Sequence, residues 1–422
     1  METCFAGLVQ PGGTSMGERD HVVGDLRPVD DDAYLVRTAT AATLKPEFCS
    51  HLANQARQNG AGVLLAHTHI GKRPLNGFSM VDDGGEPPLA AYFNRRLPGR
   101  ANFTAVITAH QVHARIMGPG NAQPLALVGT ELVMPAQPGS LVDGKFDRQV
   151  RAFGEGGQLA LSTLTVAIVG LGGTGSVVAQ QLAHLGITRF VLIDPDKVES
   201  TNLNRLVGAC ASDIDRPKVG VAADHIKRIN ATAHCQVVQG DVTHPDVAAT
   251  LTAADFIFGC TDSMASRAVM NQLAYQYFIP CIDMGVAIGA EAGTVTYIGA
   301  RVQMLSPGLA CLVCTDKLDS EQVRREMMTP EERSKDRYIV GEQVPQPAVI
   351  SLNSQVSSAA VTMFLSAVTG IPARARMLTF DAMRGTVRPV AADLRPHCIV
   401  CSHEGALGQG ARWSLPTRGG AR

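Results

Sequence analysis

The stretch VAIVGLGGTGSVV, residues 166–178, decides the fold of this chain. A β-branched apolar run ends at Gly170, and Gly172 and Gly175 complete a G-x-G-x-x-G pattern before a segment with helical spacing. Such glycines let the backbone approach a phosphate closely, and the helix N-terminus that follows favours negative charge. Asp194 ends the next strand-like segment, where a carboxylate can bond the hydroxyls of a ribose. The stretch predicts a nucleotide-binding turn, and taken alone it fits a dehydrogenase equally well.

Strands and helices alternate from about residue 145 onward. After TVAIVG come a helix over TGSVVAQQLAHLG, the strand RFVLID, a helix at 217–229, the strand CQVVQG, a helix near 245, the strand FIFGC, the helix SMASRAVMNQLAYQY and the strand PCIDMGV. This alternation predicts a doubly wound parallel sheet with helices on both faces. Residues 315–346 are highly charged and predict at most one short helix, while SLNSQVSSAAVTMFLSAVTG predicts another helix.

The residues before this unit form a second block. It contains the polar loop TSMGERDHVVGD, a strand in YLVRTATA, a helix in PEFCSHLANQARQNG, a buried strand in GVLLAH and a strand pair in FTAVITAHQVHARI. A Pro- and Gly-rich segment follows, which places a boundary near residue 140. We therefore predict an α/β protein with domains at 1–140 and 145–405, and we expect 406–422 to be a disordered tail.

The composition is that of an ordinary globular protein. Of 422 residues, 45% are hydrophobic and 18% charged, and the net charge of −1 gives no electrostatic argument for a nucleic-acid or membrane partner. No apolar run approaches the ~20 residues of a membrane span. The N-terminus METCFAGLVQPGG lacks the features of a signal peptide, so a cytoplasmic location is expected.

Three further motifs distinguish the nucleotide unit from a dehydrogenase. They are DPDKVESTNLNRLVG at 194–208, DRPKVG around Lys218, and GCTDSMASR at 259–267. In order and spacing these motifs resemble those of the ThiF/MoeB and ubiquitin-activating superfamily of adenylating enzymes, over roughly residues 145–402. The resemblance implies a Rossmann-like adenylation domain that uses ATP and Mg²⁺ to activate a carboxylate.

The resemblance also implies roles for single residues. Arg205 and Lys218 would bind the phosphates of ATP, where adenylation builds negative charge that fixed cations must offset. Asp194 would bind the ribose and Asp262 a Mg²⁺ ion. Arg148 matches an arginine that reaches the ATP of the opposite protomer, which implies a homodimer. The other expected nucleotide-binding residues are Gly170, Gly172, Gly173, Asp196 and Asn202.

Four of the ten cysteines form two C-x-x-C units, CLVC and CIVC. Four thiolates in two such units suit a closed tetrahedral Zn²⁺ site, and the alternative is a set of unligated core cysteines. In the adenylating family such a zinc is structural. The four expected ligands are Cys311, Cys314, Cys398 and Cys401.

A thioester-forming cysteine is missing from its usual place. Small members of the resembled family carry it after the first C-x-x-C unit, but residues 315–350 contain no cysteine. Cys260 and Cys281 lie at strand ends, and we read both as structural. The acyl-adenylate is therefore expected to pass directly to a cysteine of another protein.

The N-terminal block carries a different signal in GVLLAHTHIGKRPLNGFSMVDD, residues 62–83. An apolar run ends in His67-Thr-His69, and Ser79 and Asp82 follow a loop, in a pattern that resembles the JAMM (JAB/MPN) metalloprotease signature. The resemblance implies a JAB/MPN-like α/β domain in which the two histidines and Asp82 hold a catalytic Zn²⁺ and Ser79 helps to hold an oxyanion.

The proton acceptor of such a protease is a glutamate upstream of the histidines. Glu2 precedes the strand-like CFAGL as the resemblance requires, and Glu18 and Glu47 are weaker candidates. Two alternatives stay open for His67 and His69: a pair of surface histidines, or a metal site without activity.

Both resemblances point to one class of partner. A ubiquitin-like or sulfur-carrier protein of the β-grasp type acts through a C-terminal glycine carboxylate, which a JAMM protease frees and an adenylating enzyme activates. We expect a bifunctional enzyme for a ubiquitin-like modifier, with a conjugating enzyme as a further partner. The alternatives are activation of a sulfur carrier in cofactor or siderophore synthesis, and an N-terminal domain that only binds the substrate.

Overall fold

In the computed structural model, the chain is described over residues 2–12, 21–39, 41–69, 78–108, 112–118, 120–124, 126–130, 132–133, 142–291, 294–329, 332 and 347–419. These residues build two main sheets, each with helices packed against it. The first sheet lies before residue 125 and the second after residue 164.

The elements of the N-terminal unit are ten strands and two α-helices among the described residues. They are β1 (Cys4–Pro11), β2 (His21–Pro28), β3 (Tyr34–Arg37), β4 (Ala42–Leu44), α1 (Pro46–Gln58), β5 (Gly62–Thr68), α2 (Met80–Arg96), β6 (Phe103–Ile107), β7 (Val112–Ile116), β8 (Gln123–Pro124), β9 (Leu127–Val128) and β10 (Leu132–Val133). The main sheet has the order β2-β1-β5-β6-β7-β8. Buried Leu52, Val63 and Phe93 belong to one core cluster, which joins both helices to β5.

The C-terminal unit carries the remaining elements. They are α3 (Asp147–Thr163), β11 (Thr165–Val169), α4 (Gly173–Leu185), β12 (Arg189–Ile193), α5 (Lys218–Ile229), β13 (His234–Val238), α6 (Pro245–Thr250), β14 (Phe256–Gly259), α7 (Met264–Gln276), β15 (Cys281–Glu291), β16 (Thr294–Leu305), α8 (Ser320–Met327), α9 (Ile350–Val368), β17 (Met377–Asp381) and β18 (Thr386–Pro389). The sheet order is β13-β12-β11-β14-β15-β16-β17-β18, parallel from β13 to β15 and antiparallel from there on.

The predicted alternation of strands and helices is confirmed, and the inner parallel strands β11, β12 and β14 are buried on both faces. One apolar core cluster includes Ile168, Phe256 and Phe364, and the other includes Ala167 and Tyr275. Parallel strands covered by helices on both faces read as continuous apolar runs, which is what the sequence shows. The prediction that the series ends with PCIDMGV is incomplete, because β15 continues into a long antiparallel hairpin with β16.

Three other predictions of secondary structure are corrected. The segment TSMGERDHVVGD is not a loop throughout, because β2 begins at His21 and pairs with β1. Helix α2 was not predicted. The tail expected to be disordered is packed over 406–419: the N–H of Gly408 donates to the carbonyl of Tyr275 at 3.0 Å, and Arg418 donates to the carbonyl of Thr243 at 2.7 Å.

This C-terminal segment also joins the two units. A Cβ at Gly410 would lie 2.2 Å from the carbonyl oxygen of Pro11 on β1, so the two backbones are in close contact. On the other side, the side chain of Gln276 on α7 donates to the carbonyls of Gly410 and Trp413 at 2.7 and 2.6 Å. Among the described residues, no helix has the length and apolar character needed to cross a membrane.

Candidate functional site

The glycine turn lies where β11 ends and α4 begins. Gly170 has a φ of +89°, and a Cβ there would lie 2.7 Å from the carbonyl oxygen of Cys260. A Cβ at Gly175 would lie 1.8 Å from the carbonyl oxygen of Gly170, so only glycine fits either position. A Cβ at Gly172, the N-cap of α4, would meet no atom within 4 Å. The start of this helix therefore borders an open cradle of the kind that binds phosphate.

The carboxyl ends of three parallel strands meet at this turn. Val169 of β11 is paired with Ile193 of β12 and with Gly259 of β14. Asp194 directly follows β12, and Asp262 follows β14 in the segment that leads to α7. Ligands of open α/β sheets bind at this edge, in the crevice outside the carboxyl ends of the strands.

Asp194 holds the turn in place. Its side chain is buried, one carboxylate oxygen accepts from the N–H of Leu171 at 2.5 Å, and the other accepts from the N–H of Asp196 at 2.8 Å. Burial raises the pKa of Asp194, whereas the charge of Lys218 lowers it. A role of Asp194 in binding ribose stays a prediction.

Two predicted phosphate-binding cations border the same edge. The Nζ of Lys218, at the start of α5, lies 2.7 Å from a carboxylate oxygen of Asp196. The Cδ of Arg205 would lie 3.4 Å from a Cβ at Gly173, which places Arg205 beside the turn. Its guanidinium donates to the carbonyl of Thr201 at 2.7 Å. Lys218 is thus paired with Asp196, two residues beyond Asp194, and the stem of Arg205 lies beside the glycine turn.

The remaining predicted nucleotide-binding residues differ in their surroundings. Asn202 is buried, and its Oδ1 accepts from the N–H of Glu199 at 3.2 Å, which shapes the loop that carries Arg205. Asp262 is exposed, as a ligand for a hydrated ion needs to be. Arg148 is exposed in the first turn of α3. Its predicted reach into a second protomer stays a prediction.

Sequence reasoning missed two residues of α9 that support the turn. A Cβ at Gly173 would lie 2.1 Å from the Nδ2 of buried Asn353, and the hydroxyl of Ser357 donates to the carbonyl of Thr174 at 3.0 Å. Polar residues in an otherwise apolar, small-residue helix were the available signal.

A buried ion network was missed as well. Asp283 is 1% exposed and lies beside Gly259 in the sheet, with Arg267 at 3.3 Å and Arg301 also in contact. Burial raises the pKa of neighbouring Cys260 and Cys281 well above their usual range, so both thiols are protonated at neutral pH. This agrees with the interpretation that neither cysteine is a nucleophile.

The four cysteines of the C-x-x-C units come together. All four sulfur atoms lie within 4.8 Å of one another, with Cys311 to Cys398 at 3.5 Å and Cys314 to Cys401 at 3.4 Å. Bonds of about 2.3 Å to a tetrahedral zinc separate two sulfur ligands by about 3.8 Å, so the group fits that ion. Contact with Cys401 lowers the pKa of Cys311, which favours the thiolate form of that sulfur.

The histidine pair also meets its predicted aspartate. The Nε2 atoms of His67 and His69 are 3.0 Å apart, and they lie 3.0 and 3.4 Å from the two carboxylate oxygens of Asp82. Bonds of about 2.0–2.1 Å to a tetrahedral zinc separate two donors by about 3.3 Å, so these three atoms fit the ion and leave one position open. The surface-histidine alternative is wrong for His69, whose side chain is 8% exposed.

The protonation states suit a metal as well. Burial raises the pKa of Asp82, but hydrogen bonds from His67 and Ser79 outweigh it and hold that pKa well below its usual range. Burial and the nearby His67 lower the pKa of His69. Asp82 is therefore ionised and His69 neutral at neutral pH, which are the forms that bind metals.

Ser79 shapes this site through the backbone. It is the N-cap of α2, where its N–H and its hydroxyl donate to Asp82 at 2.6 and 2.8 Å. The Ser79 hydroxyl also accepts from the N–H of Asp82 at 3.4 Å, and this bond forms a capping box with that from the Ser79 N–H, which fixes Asp82 on the first helical turn. In this structure the Ser79 hydroxyl is thus engaged by the ligand Asp82, and its predicted contact with an oxyanion stays a prediction.

Glu2 is well positioned despite its place at the chain terminus. Cys4 is paired with His67 in the sheet, and the N–H of Thr3 donates to the hydroxyl of Thr68 at 2.9 Å. The Nε of Arg37 donates to the carbonyl of Glu2 at 2.9 Å, and the Glu2 side chain is buried. Because Cys4 is paired with His67, Glu2 lies near the end of β5 that carries the histidine pair.

The structure describes one of the two weaker glutamate candidates. Glu47 lies in the first turn of α1, which follows β3 and β4 in the sequence. Glu18 lies outside the described residues.

Comparison with known proteins covers the C-terminal unit. The ThiF family profile matches residues 146–400, more than half of the chain. The chain is 30% identical over 259 residues to the molybdopterin-synthase adenylyltransferase of Escherichia coli strain K12, over 61% of this chain and 95% of that protein. It is 31% identical over 180 residues to ubiquitin-like modifier-activating enzyme 5 of Bombyx mori, over 38% of this chain and 44% of that protein.

A solved structure agrees with this fold. Escherichia coli MccB with MccA-N7isoASN matches 62% of this chain and 76% of its own, with a TM-score of 0.50 and 17% identity. At that identity the likeness concerns the fold alone. The N-terminal unit, with its histidine pair, lies outside the residues that the family profile matches.

Proposed function

Because this chain belongs to the ThiF family and its residues 146–400 form an adenylyltransferase domain of the ThiF/MoeB type, we propose that it adenylates the C-terminal carboxylate of a β-grasp protein, of the ubiquitin-like or the sulfur-carrier kind. The observation that carries the proposal is the shared strand edge, where the glycine turn, Asp194 and Asp262 come together. The dehydrogenase alternative has no support from the relatives.

The residues at this edge of the sheet suit each step of the adenylation reaction. The substrate carboxylate attacks the α-phosphorus of ATP, a carboxyl–phosphate bond forms, and the bond to the β-phosphate breaks to release pyrophosphate. Arg205 and Lys218 offset the negative charge that grows on the phosphates, and the open side of the turn at Gly172 admits a phosphate to the start of α4. Asp262 would hold Mg²⁺, which neutralises phosphate charge when bound.

The acceptor of the activated carboxylate is proposed to be another protein. Residues 315–350 contain no cysteine, Cys281 is buried and Cys260 is half-buried, and both thiols have raised pKa values. A thiolate of a conjugating enzyme or of a sulfur-transfer protein would attack the acyl-adenylate and release AMP. The four C-x-x-C cysteines would hold a structural zinc.

A second proposed activity belongs to the N-terminal unit, and the meeting of His67, His69 and Asp82 beside Glu2 favours it. These three ligands would hold Zn²⁺, which lowers the pKa of a bound water to about 7 and polarises a carbonyl. Glu2 would take the proton of that water. The substrate is the peptide bond after the C-terminal glycine of the β-grasp protein, or an isopeptide bond to it.

A sulfur carrier is the alternative substrate. The molybdopterin-synthase adenylyltransferase of Escherichia coli supports it, whereas the ubiquitin-like modifier-activating enzyme of Bombyx mori supports a protein modifier. The fate of the adenylate separates the two. Transfer to a conjugating-enzyme cysteine supports a modifier, and formation of a C-terminal thiocarboxylate supports a sulfur carrier.

Intact-mass measurement tests both activities. The full chain is mixed with a β-grasp protein that carries a C-terminal tail, with and without ATP and Mg²⁺, and with and without a zinc chelator. We expect tail loss without ATP, followed by an ATP-dependent gain of one AMP on the trimmed protein. Lys218→Ala should abolish the second step alone. His67→Ala should abolish tail loss, and its adenylation should be retained on a β-grasp protein that already ends in glycine. No AMP adduct and no ATP–pyrophosphate exchange with either class of substrate would contradict the proposal.

A homodimer is proposed from the place of Arg148. Mixing an Arg148→Ala chain with a Lys218→Ala chain should restore part of the adenylation activity if Arg148 acts in the partner's site, because mixed dimers then contain one intact site. No restoration in chains shown to exchange subunits would contradict the shared site.

A further inference from the structure

We infer that Arg115 is the positioning residue for the metal site of the N-terminal unit, and this inference rests on the metal-binding role proposed above. Arg115 lies on β7, outside every motif that the sequence predicted. Its side chain is 6% exposed although it carries a full charge. A buried charge needs partners, and among the described residues the carboxylates that pair with Arg115 lie at the start of α2.

The first two turns of α2 are weak as a helix. Gly84 and Gly85 each cost roughly 0.5–1 kcal/mol relative to alanine in a helix interior. Pro87 and Pro88 follow within the helix and lack the N–H groups that would bond the carbonyls four residues earlier. The turn that carries Asp82 therefore needs support from outside the helix.

Arg115 provides that support at three points. Its Nη1 lies 2.8 Å from a carboxylate oxygen of Asp83, which follows Asp82 directly. Its Nε and Nη2 lie 3.1 and 2.9 Å from the two oxygens of Glu86, one turn later. Its guanidinium stacks on the ring of Phe78, just before the helix, at 3.8 Å from the ring centre. The Arg115 side chain thus contacts residues before, within and after the helical turn that carries Asp82.

The same arginine is fixed to the histidines through the sheet. In β6 and β7, Val106 is paired with His113, and Val106 is also paired with His67 of β5. Arg115 lies two residues beyond His113 on the same strand, so it faces the same side of the sheet as that position. Glu86 in turn accepts from the N–H of Gly118 at 3.2 Å, which ties the helix to the end of β7.

Together these contacts set the distance between the histidines of β5 and Asp82 of α2. His67 and His69 come from the end of β5, whereas Asp82 comes from the start of α2. The Ser79 capping box fixes Asp82 within the helix, and the contacts of Arg115 join that helix to the sheet. Arg115 connects the two, so its removal should leave the histidines in place and let Asp82 move.

Zinc affinity of the full chain tests this. The test variant is Arg115→Met together with Glu86→Met, and the control is Arg57→Met. The double variant removes both buried charges and leaves only Asp83, which is 55% exposed, without its partner. Arg57 is an exposed arginine of α1 that contacts the far end of α2, at the carbonyl of Arg96. Zinc binding is measured by competition with a chromogenic chelator, and stoichiometry by native mass spectrometry.

We expect the double variant to bind its N-terminal zinc about 10–100-fold more weakly, as substitutions around metal ligands commonly do, with the cysteine-bound zinc retained. Arg57→Met should not change the affinity. ATP–pyrophosphate exchange should be unchanged in both, because the adenylation edge lies in the other unit.

A helix-strengthening pair of substitutions separates positioning from general loss of structure. A Cβ at Gly84 or Gly85 would meet no atom within 4 Å, so Gly84→Ala with Gly85→Ala is tolerated. Added to the double variant, this pair should restore zinc affinity several-fold, while in the native chain it should change little. An equally weak site after the alanines are added would overturn the role of Arg115.

Two failures can be told apart. If the native chain binds one zinc and His67→Ala does not reduce that number, the proposed N-terminal metal site is wrong, and the inference fails with it. If the native chain binds two and the double variant binds both as tightly, the metal site stands and the role of Arg115 is overturned.

Discussion

The two proposed metal-ligand groups of this chain are built in opposite ways. The cysteine group has four donors in two short C-x-x-C units, and three of its cysteines are buried. The histidine group has three donors from a strand end and a helix start, and the side chains of His67 and Asp82 are 18% and 13% exposed. Four donors close the coordination of a tetrahedral ion, whereas three leave a place for water. The number of protein donors therefore distinguishes a structural metal site from a site where a bound water can react.

The largest expected effect is on the closed site. Cys398→Ser should lower the free energy of unfolding by roughly 4–5 kcal/mol, because loss of a structural metal is among the few mechanisms that reach this size. The residues around it join α7 and the C-terminal segment, so the damage should spread through the C-terminal unit. Chemical denaturation of the full chain measures the change, with native mass spectrometry for zinc.

Cys210→Ser is the matched control for that experiment. Cys210 is the exposed free cysteine beside Ser212, at 3.1 Å, and lies in neither C-x-x-C unit. We expect one zinc fewer in Cys398→Ser and no change in Cys210→Ser. Equal stability of the two variants would show that the four cysteines do not hold a structural ion.

The second-largest effect is expected at the histidine group, whose three donors leave one coordination position open. His67→Ala should remove the N-terminal zinc and abolish tail cleavage, yet change the free energy of unfolding by only about 1 kcal/mol, the value of the hydrogen bonds lost with the ring. Adenylation should continue. The measurement is zinc stoichiometry alongside a thermal melt, and a loss of stability as large as in Cys398→Ser would erase the distinction between the two groups.

Local patterns made both groups predictable. Each C-x-x-C unit and the His67-Thr-His69 triplet lies within four residues, and the glycine turn lies within six, so sequence spacing alone defines their geometry. The alternating strands and helices were predictable for a similar reason, because each element is long and strongly apolar. What these motifs contact in three dimensions follows from the order of strands in each sheet.

The missed features depend on contacts between distant residues. Helix α2 carries two glycines and two prolines, and the ion pair of Glu86 with Arg115 overrides their low helix propensity. The C-terminal segment looks disordered by composition, yet Gly408 and Gly410 fit where the backbone of β1 and β2 leaves no room for a side chain. The network around Asp283 joins three elements and has no local signature.

The smallest effect on zinc content and stability is expected for Glu2→Gln. This variant tests most directly whether the histidine group has three protein ligands or four. Glu2→Gln keeps the shape of the side chain and the backbone bonds to Arg37 and Thr38, so zinc content should stay the same and stability should change by no more than about 0.5 kcal/mol. Cleavage should fall by about 10²–10⁴-fold, because a glutamine cannot take the proton from water. Glu47→Gln is the control, and it should leave zinc content and cleavage unchanged. If Glu2→Gln lost zinc together with cleavage, Glu2 would be a fourth ligand, and the histidine group would then be a closed site like that of the cysteines.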